Sequence, residues 1–219
     1  MIFISMTTDE QNESPKDTAP SGKPPSKPKR ISKPKKEVVD PNAPPKITRK
    51  VKKEIELATN NVDGIVRHIR NVQDNCILLG KKLIQQGHID LGVNLIRNGF
   101  LHDSSKFVGI EWENMAPVGM SAQESAAKLK LKMAIHHHNS TNLHHPEAWT
   151  MGIKGMPLLY LAEFVCDVKA RSEEFGTSLR DWIDDSATKR WGFTKTDEVY
   201  KKIMDYIGLV CEAPFSQIK

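Results

Sequence analysis

Cysteine is scarce in this 219-residue chain: Cys76, Cys166 and Cys211 stand far apart and form no CxxC pair. That excludes a disulfide framework and a thiolate metal site, and it predicts reduced core thiols in a cytoplasmic protein. No apolar–polar alternation is sustained along the chain, so nothing predicts strands or a sheet. The longest apolar run, Met156 to Cys166, contains Glu163 and falls far short of a membrane span. The opening Met1-Ile2-Phe3-Ile4-Ser5 is too short for a signal sequence and lacks preceding basic residues. A glycine-rich phosphate loop and a base-stacking pattern are also missing, so the sequence does not name a substrate. Net positive charge is absent from the body. Residues 1–50 carry 11 Lys/Arg against 6 Asp/Glu, and the remainder carries 21 of each. The whole excess of +5 therefore belongs to the N-terminal end.

That end has its own texture. Residues 1–46 hold nine of the 13 prolines among Ser, Lys and acidic residues, without apolar periodicity. Such a segment buries too little surface to offset its ordering entropy, and we read it as a disordered tail. Its run Lys33-Pro34-Lys35-Lys36 allows a weak contact with nucleic acid. The solvated reading outweighs this one, because a basic tail lacks the specificity of a structured patch.

From residue 47 to 219 the periodicity is helical throughout. It predicts a short helix near 49–57 and a long one over 62–86, with Ile65, Ile69, Val72, Cys76, Leu79 and Leu83 on one stripe. A third follows over 89–104 and ends on His102-Asp103. A fourth, over 121–138, is capped by Ser121 with Glu124 closing a capping box. The most apolar helix runs from 157 to 173, and two more lie near 178–185 and 196–210. The fold expected is all-α.

Seven of the eight histidines occupy His68, His102 and the cluster His136-His137-His138…His144-His145; only His88 stands apart. A lone histidine beside an apolar stripe, as at His68, is ordinarily a satisfied boundary residue. A His-Asp dipeptide arises by chance, and Asp167 in its apolar helix could pair with Lys169 or Arg171. Taken together, imidazoles and carboxylates from several helices make a ligand set suited to Mn, Fe, Co, Ni or Zn, with Mg a further option. Consecutive helical residues diverge by about 100°. An ion held by both His102 and Asp103 must then lie close to the backbone.

His68, His102-Asp103 and Asp167, in the order H…HD…D with gaps of 34 and 64 residues, resemble the HD-domain superfamily of metal-dependent phosphohydrolases. The resemblance covers roughly residues 60–175. The segment His102-Asp103-Ser104-Ser105-Lys106 is similar to the HD-x-x-K form of its cyclic-dinucleotide phosphodiesterases. The run from His138 through Asn142, His144, His145, Pro146 and Glu147 to Trp149 resembles a less characterised HD-like family of phages and bacteria. Two departures matter: Lys106 stands where the deoxynucleotidases have glutamate, and no Gly-Tyr-Pro signature occurs.

The resemblance implies an HD-type helical bundle that hydrolyses a phosphate ester, of a nucleotide above all, in the cytoplasm. His68, His102, Asp103 and Asp167 would hold one divalent ion, and His138 with His144 or His145 a second. Asp103 and Lys106 would be catalytic, and Lys106, Asn142 and Arg171 would contact substrate, Lys106 reaching over the open face of the ion. Two alternatives stay open: a di-iron oxygenase of the same superfamily, and a non-catalytic nucleotide-binding or interaction protein.

Overall fold

A computed structural model describes residues 48–115 and 125–211. Every regular element among them is helical. The chain divides between Pro45 and Lys46, and all that follows concerns the second unit. The tail and the expected cap at Ser121 with Glu124 lie outside the described residues.

Helix α1 runs unbroken from Arg49 to Gln85, where the sequence suggests two helices. Thr59, Asn60 and Asn61 are weak helix formers, but none lacks an N–H as proline does, so the ladder survives them. Thr59 Oγ1 bonds back to the Ile55 carbonyl at 2.9 Å. Thr48 caps the start by accepting the Val51 N–H at 3.3 Å. The other end closes in a Schellman turn: His88 N–H reaches the Leu83 carbonyl, Gly87 N–H reaches Ile84, and Gly87 takes φ +89°.

That turn sends helix α2, Ile89–Leu101, back along α1. The two backbones nearly touch. A Cβ on Gly92 would lie 2.4 Å from the Gly80 carbonyl oxygen, and one on Gly99 would lie 2.6 Å from Cys76 Cβ. Glycine is required at this crossing by the close approach, and the crossing sets where the C-terminal end of α2 emerges.

Helix α2 stops at Leu101, short of the expected Ser104. His102 is extended (φ −51°, ψ 131°), and Asp103 adopts the left-handed conformation with φ 55°. Asp103 is the one non-glycine residue with positive φ among those described. This break removes the 100° divergence of a helix and lets both side chains face one point. A left-handed Asp costs on the order of 1 kcal/mol, a cost that fits a position chosen for where its carboxylate lies. A 3-10 turn over Ser104–Phe107 and helix α3, Gly109–Met115, follow.

Helix α4, Ser125–Thr141, carries the histidine run through to Thr141. The loop after it is fastened twice. Trp149 Nε1 donates to the Leu143 carbonyl at 2.8 Å, and Glu147 accepts from Arg190 Nη2 at 2.8 Å. Pro146 opens a short 3-10 turn.

Helix α5, Leu158–Phe175, is the centre of the core, packed against α1, α2 and the last helix, α8 (Glu198–Cys211). Leu161, Ala162, Phe164, Val165, Cys166, Val168 and Ala170 are all buried. Between α5 and α8 lie two short helices, α6 (Leu179–Trp182) and α7 (Thr188–Trp191), joined by a π-turn over Ile183–Ala187. No helix among the described residues is long and apolar enough to cross a membrane.

Candidate metal centre

Five segments deliver side chains to one buried spot. Helix α1 supplies His68, the break after α2 supplies His102 and Asp103, and α4 supplies His138. The fastened loop supplies His144 and His145, and α5 supplies Asp167. His68, His102, Asp103, His138 and His144 are buried, each at 5% exposure or less. Asp167 is 14% exposed.

The donor atoms fall at ligand spacing. Two donors about 2.1 Å from a shared ion stand about 3.0 Å apart at right angles and about 4.2 Å apart when opposed. His68 Nε2 lies 3.0 Å from Asp167 Oδ1 and 3.9 Å from Asp103 Oδ2. His102 Nε2 lies 3.5 Å from Asp103 Oδ2 and 4.0 Å from Asp167 Oδ1. On the other side of the same carboxylate, Asp103 Oδ1 lies 3.2 Å from His138 Nε2 and 3.4 Å from His144 Nε2. One group comprises His68, His102 and Asp103, with Asp167 Oδ1 beside both imidazoles. The other comprises Asp103, His138, His144 and His145, whose ligand atoms all lie within 4.8 Å of one another; His102, His144 and Asp167 meet the same spacing, so the two groups adjoin. Asp103 bridges them, one oxygen to each.

The imidazoles are held from behind by glutamates. His68 Nδ1 donates to Glu174 Oε1 at 3.0 Å, and His138 Nδ1 donates to Glu111 Oε2 at 2.7 Å. Glu163 Oε1 accepts from His102 Nδ1 at 3.1 Å and pairs with His144 Nδ1 at 3.4 Å. A carboxylate can only accept, so each Nδ1 carries its proton and each Nε2 turns a lone pair inward. There the lone pairs confront the oxygens of Asp103 and Asp167. Nε2 of His68, His102, His144 and His145 and Oδ1 of Asp103 are buried without a hydrogen-bond partner. Orphaned acceptors converging on one another are costly unless a cation lies between them.

Charge counts the same way. Asp103, Glu111, Glu163, Asp167 and Glu174 face the buried ammonium of Lys106 and, at Glu174, the guanidinium of Arg171. These carboxylates outnumber the lysine and arginine that pair with them. Burial pushes the carboxyls up, yet His102 and Lys106 hold Asp103 well below its ordinary range, and His68 and His102 do so for Asp167. Glu163 is held at about 2 by its two histidines against the same burial. Burial lowers His144, but the adjacent carboxylates of Asp103 and Glu163 overcome it and raise this histidine to about 10, so that without an ion its Nε2 takes up a proton in place of the lone pair. His145 goes the other way: burial and the neighbouring His144 keep it neutral, well below 6.5. The field of these carboxylates favours positive charge at the site.

The remaining sequence candidates fall as follows. Lys106 does not extend over an open face. It is 7% exposed and ion-paired to Asp103 Oδ2, the position of a counter-charge. Asn142 donates through Nδ2 to Ser105 Oγ at 3.1 Å and to the His138 carbonyl at 2.9 Å, tying the loop to the turn after Asp103. Arg171 bonds Glu174 Oε2 at 3.1 Å, one layer behind His68. Lys169 turns to Asn75 and Glu173, so neither of these cations takes Asp167. The residues that sequence reasoning missed are Glu111, Glu163 and Glu174. Glu163 did carry a signal, being an acid in the most apolar helix four residues before Asp167.

Residues 58–211 match a family of unknown function, DUF5662. The chain belongs to the DUF5662 family. The matched span takes in every histidine and carboxylate of the DUF5662 chain's candidate site and leaves out the basic tail. No curated protein and no solved structure matches the chain.

Proposed function

We propose that this DUF5662 protein is a metal-dependent phosphohydrolase of HD type, cleaving a phosphate ester of a nucleotide or similar small molecule. The observation that carries the reading is the ring of unpartnered Nε2 atoms around Asp103, with the proton of His68, His102 and His144 directed away to a glutamate. The donor set fits one or two divalent ions. His68, His102, Asp103 and Asp167 would hold the first, and Asp103, His138, His144 and His145 the second. An imidazole majority favours Mn, Fe, Co, Ni or Zn over Mg. When bound, such ions supply Lewis acidity, lowering the pKa of a coordinated water toward neutrality and meeting charge that develops on a phosphoryl oxygen.

The protein's own residues do the rest. Glu111, Glu163 and Glu174 keep the imidazoles in the ligating tautomer and orientation, so no reorganisation is needed when charge develops. Asp103 presents one oxygen to each group, which its left-handed backbone makes possible. Lys106 balances Asp103, and at saturating metal its ammonium is the non-ligating cation closest to both groups. Burial of His68, His102, His138, His144 and both aspartates to 14% exposure or less, together with the buried Nε2 of His145, limits access of bulk water.

The test is metal analysis of the purified full chain, with phosphomonoester and phosphodiester substrates screened under each metal. Hydrolysis by loaded protein, lost in Asp103→Asn along with bound metal, is expected. Loaded protein that turns over only with oxygen would favour the di-iron alternative, and nucleotide binding without turnover would favour a sensor.

A further inference from the structure

Of the three supporting glutamates, one differs from the others. Glu174 holds His68 as its only candidate ligand, and Glu111 holds His138 together with the half-exposed His137, which faces neither group. Glu163 reaches both groups through a single atom. Its Oε1 lies 3.1 Å from His102 Nδ1 in the first group and 3.4 Å from His144 Nδ1 in the second. Its other oxygen accepts from Asn98 Nδ2 at 3.0 Å, which fixes the carboxylate plane. Glu163 is 4% exposed, in the middle of the most buried helix, and one turn from Asp167.

We propose that Glu163 is a positioning residue common to both metal positions, so that occupancy of each depends on this one carboxylate. The proposal rests on the metal reading of the site. Its physical basis is general: a charged acceptor on Nδ1 fixes an imidazole's tautomer and rotation and raises the basicity of Nε2. Losing such a partner costs about 10–100-fold in metal affinity. At His68 or His138 that loss would fall on one position. At Glu163 it falls on two, because the same oxygen serves a ligand of each. Asn98, on helix α2, carries the effect one step further by aiming the carboxylate.

The experiment is calorimetric titration of Mn²⁺ into the chelator-stripped full chain, with paramagnetic resonance to detect an ion pair. Wild type is expected to take two ions in two resolvable steps and to show a spin-coupled signal at saturation. Glu163→Gln, which keeps shape and removes charge, should weaken both steps by about 10–100-fold each. Glu174→Gln should weaken one step and Glu111→Gln the other. Asn98→Ala keeps the Glu163 charge and should weaken both steps by a smaller factor, deciding the matter if the Glu163 variant fails to fold. A stability role alone would lower melting of the stripped protein without producing this one-against-two pattern.

Wild-type affinity in either step for Glu163→Gln, unchanged affinities in Asn98→Ala, or a wild type that takes a single ion would overturn the proposal. A protein that binds two ions in the expected pattern and hydrolyses no phosphate ester would refute the proposed function and leave this inference standing.

Discussion

Lys106→Met tests whether the buried cluster is organised by charge. Asp103 is 2% and Lys106 7% exposed, and they are ion-paired. Removing one partner of a buried pair strands the other and costs about 3–5 kcal/mol. Methionine preserves most of the stem packing, so the charge is what changes. One neighbour softens the loss: His144, raised to about 10, presents a proton from Nε2 to Asp103 Oδ1 at 3.4 Å. The expected penalty is therefore at the lower end, about 3 kcal/mol, or a fall in Tm of roughly 6–12 °C for a domain of this size. Scanning calorimetry of the chelator-stripped variant beside wild type reads it. Saturating Zn²⁺ or Mn²⁺ should then close most of the gap, since an ion at Asp103 replaces the missing ammonium. The variant should also bind that metal at least about tenfold more tightly, having lost a like charge a few ångströms away. A stripped variant that melts with wild type, or one that binds metal more weakly, would refute the counter-charge reading of Lys106.

Metal affinity should rise with pH. His144 is raised to about 10 in the metal-free site, above the ordinary unfolded value of about 6.5. Its stabilising contribution is thus complete below about pH 6.5 and is lost as pH climbs through about 10. An ion at Nε2 must displace that proton, so chelator competition between pH 6.5 and 8.5 should show affinity increasing by up to about tenfold per unit. A flat profile would count against His144 as a ligand. Gly92→Ala should destabilise by about 1–3 kcal/mol or more, because its Cβ would meet the Gly80 carbonyl oxygen at 2.4 Å; an unchanged denaturant midpoint would refute the tight crossing. A chain starting at Lys46 should melt as the full chain does and keep its metal content, since no candidate ligand precedes His68; loss of metal with folding intact would implicate the tail.

The residue types themselves determined the helical class and marked the candidate donors. Apolar spacing of three and four with no alternation leaves only helices, and histidine and aspartate are recognisable as donors wherever they stand. The histidine-rich loop was legible for the same reason, whereas the burial of Pro146 and the bond by which Trp149 pins the loop came only with the structure. Tertiary structure alone decided what those donors need. Each glutamate that orients an imidazole is distant in the chain, with 106 residues separating His68 from Glu174, 61 separating His102 from Glu163, and 27 separating His138 from Glu111. No local pattern couples residues so far apart; the packing of α5 against α1 and α2, and of α3 against α4, does. The same packing turned Lys106 from a residue at a helix end, free to reach outward, into the partner of Asp103. Helix periodicity likewise predicted a continuous turn through His102-Asp103. The chain leaves the helix at Leu101, and the left-handed Asp103 lets the two adjacent side chains converge, a geometry that a regular helix does not supply.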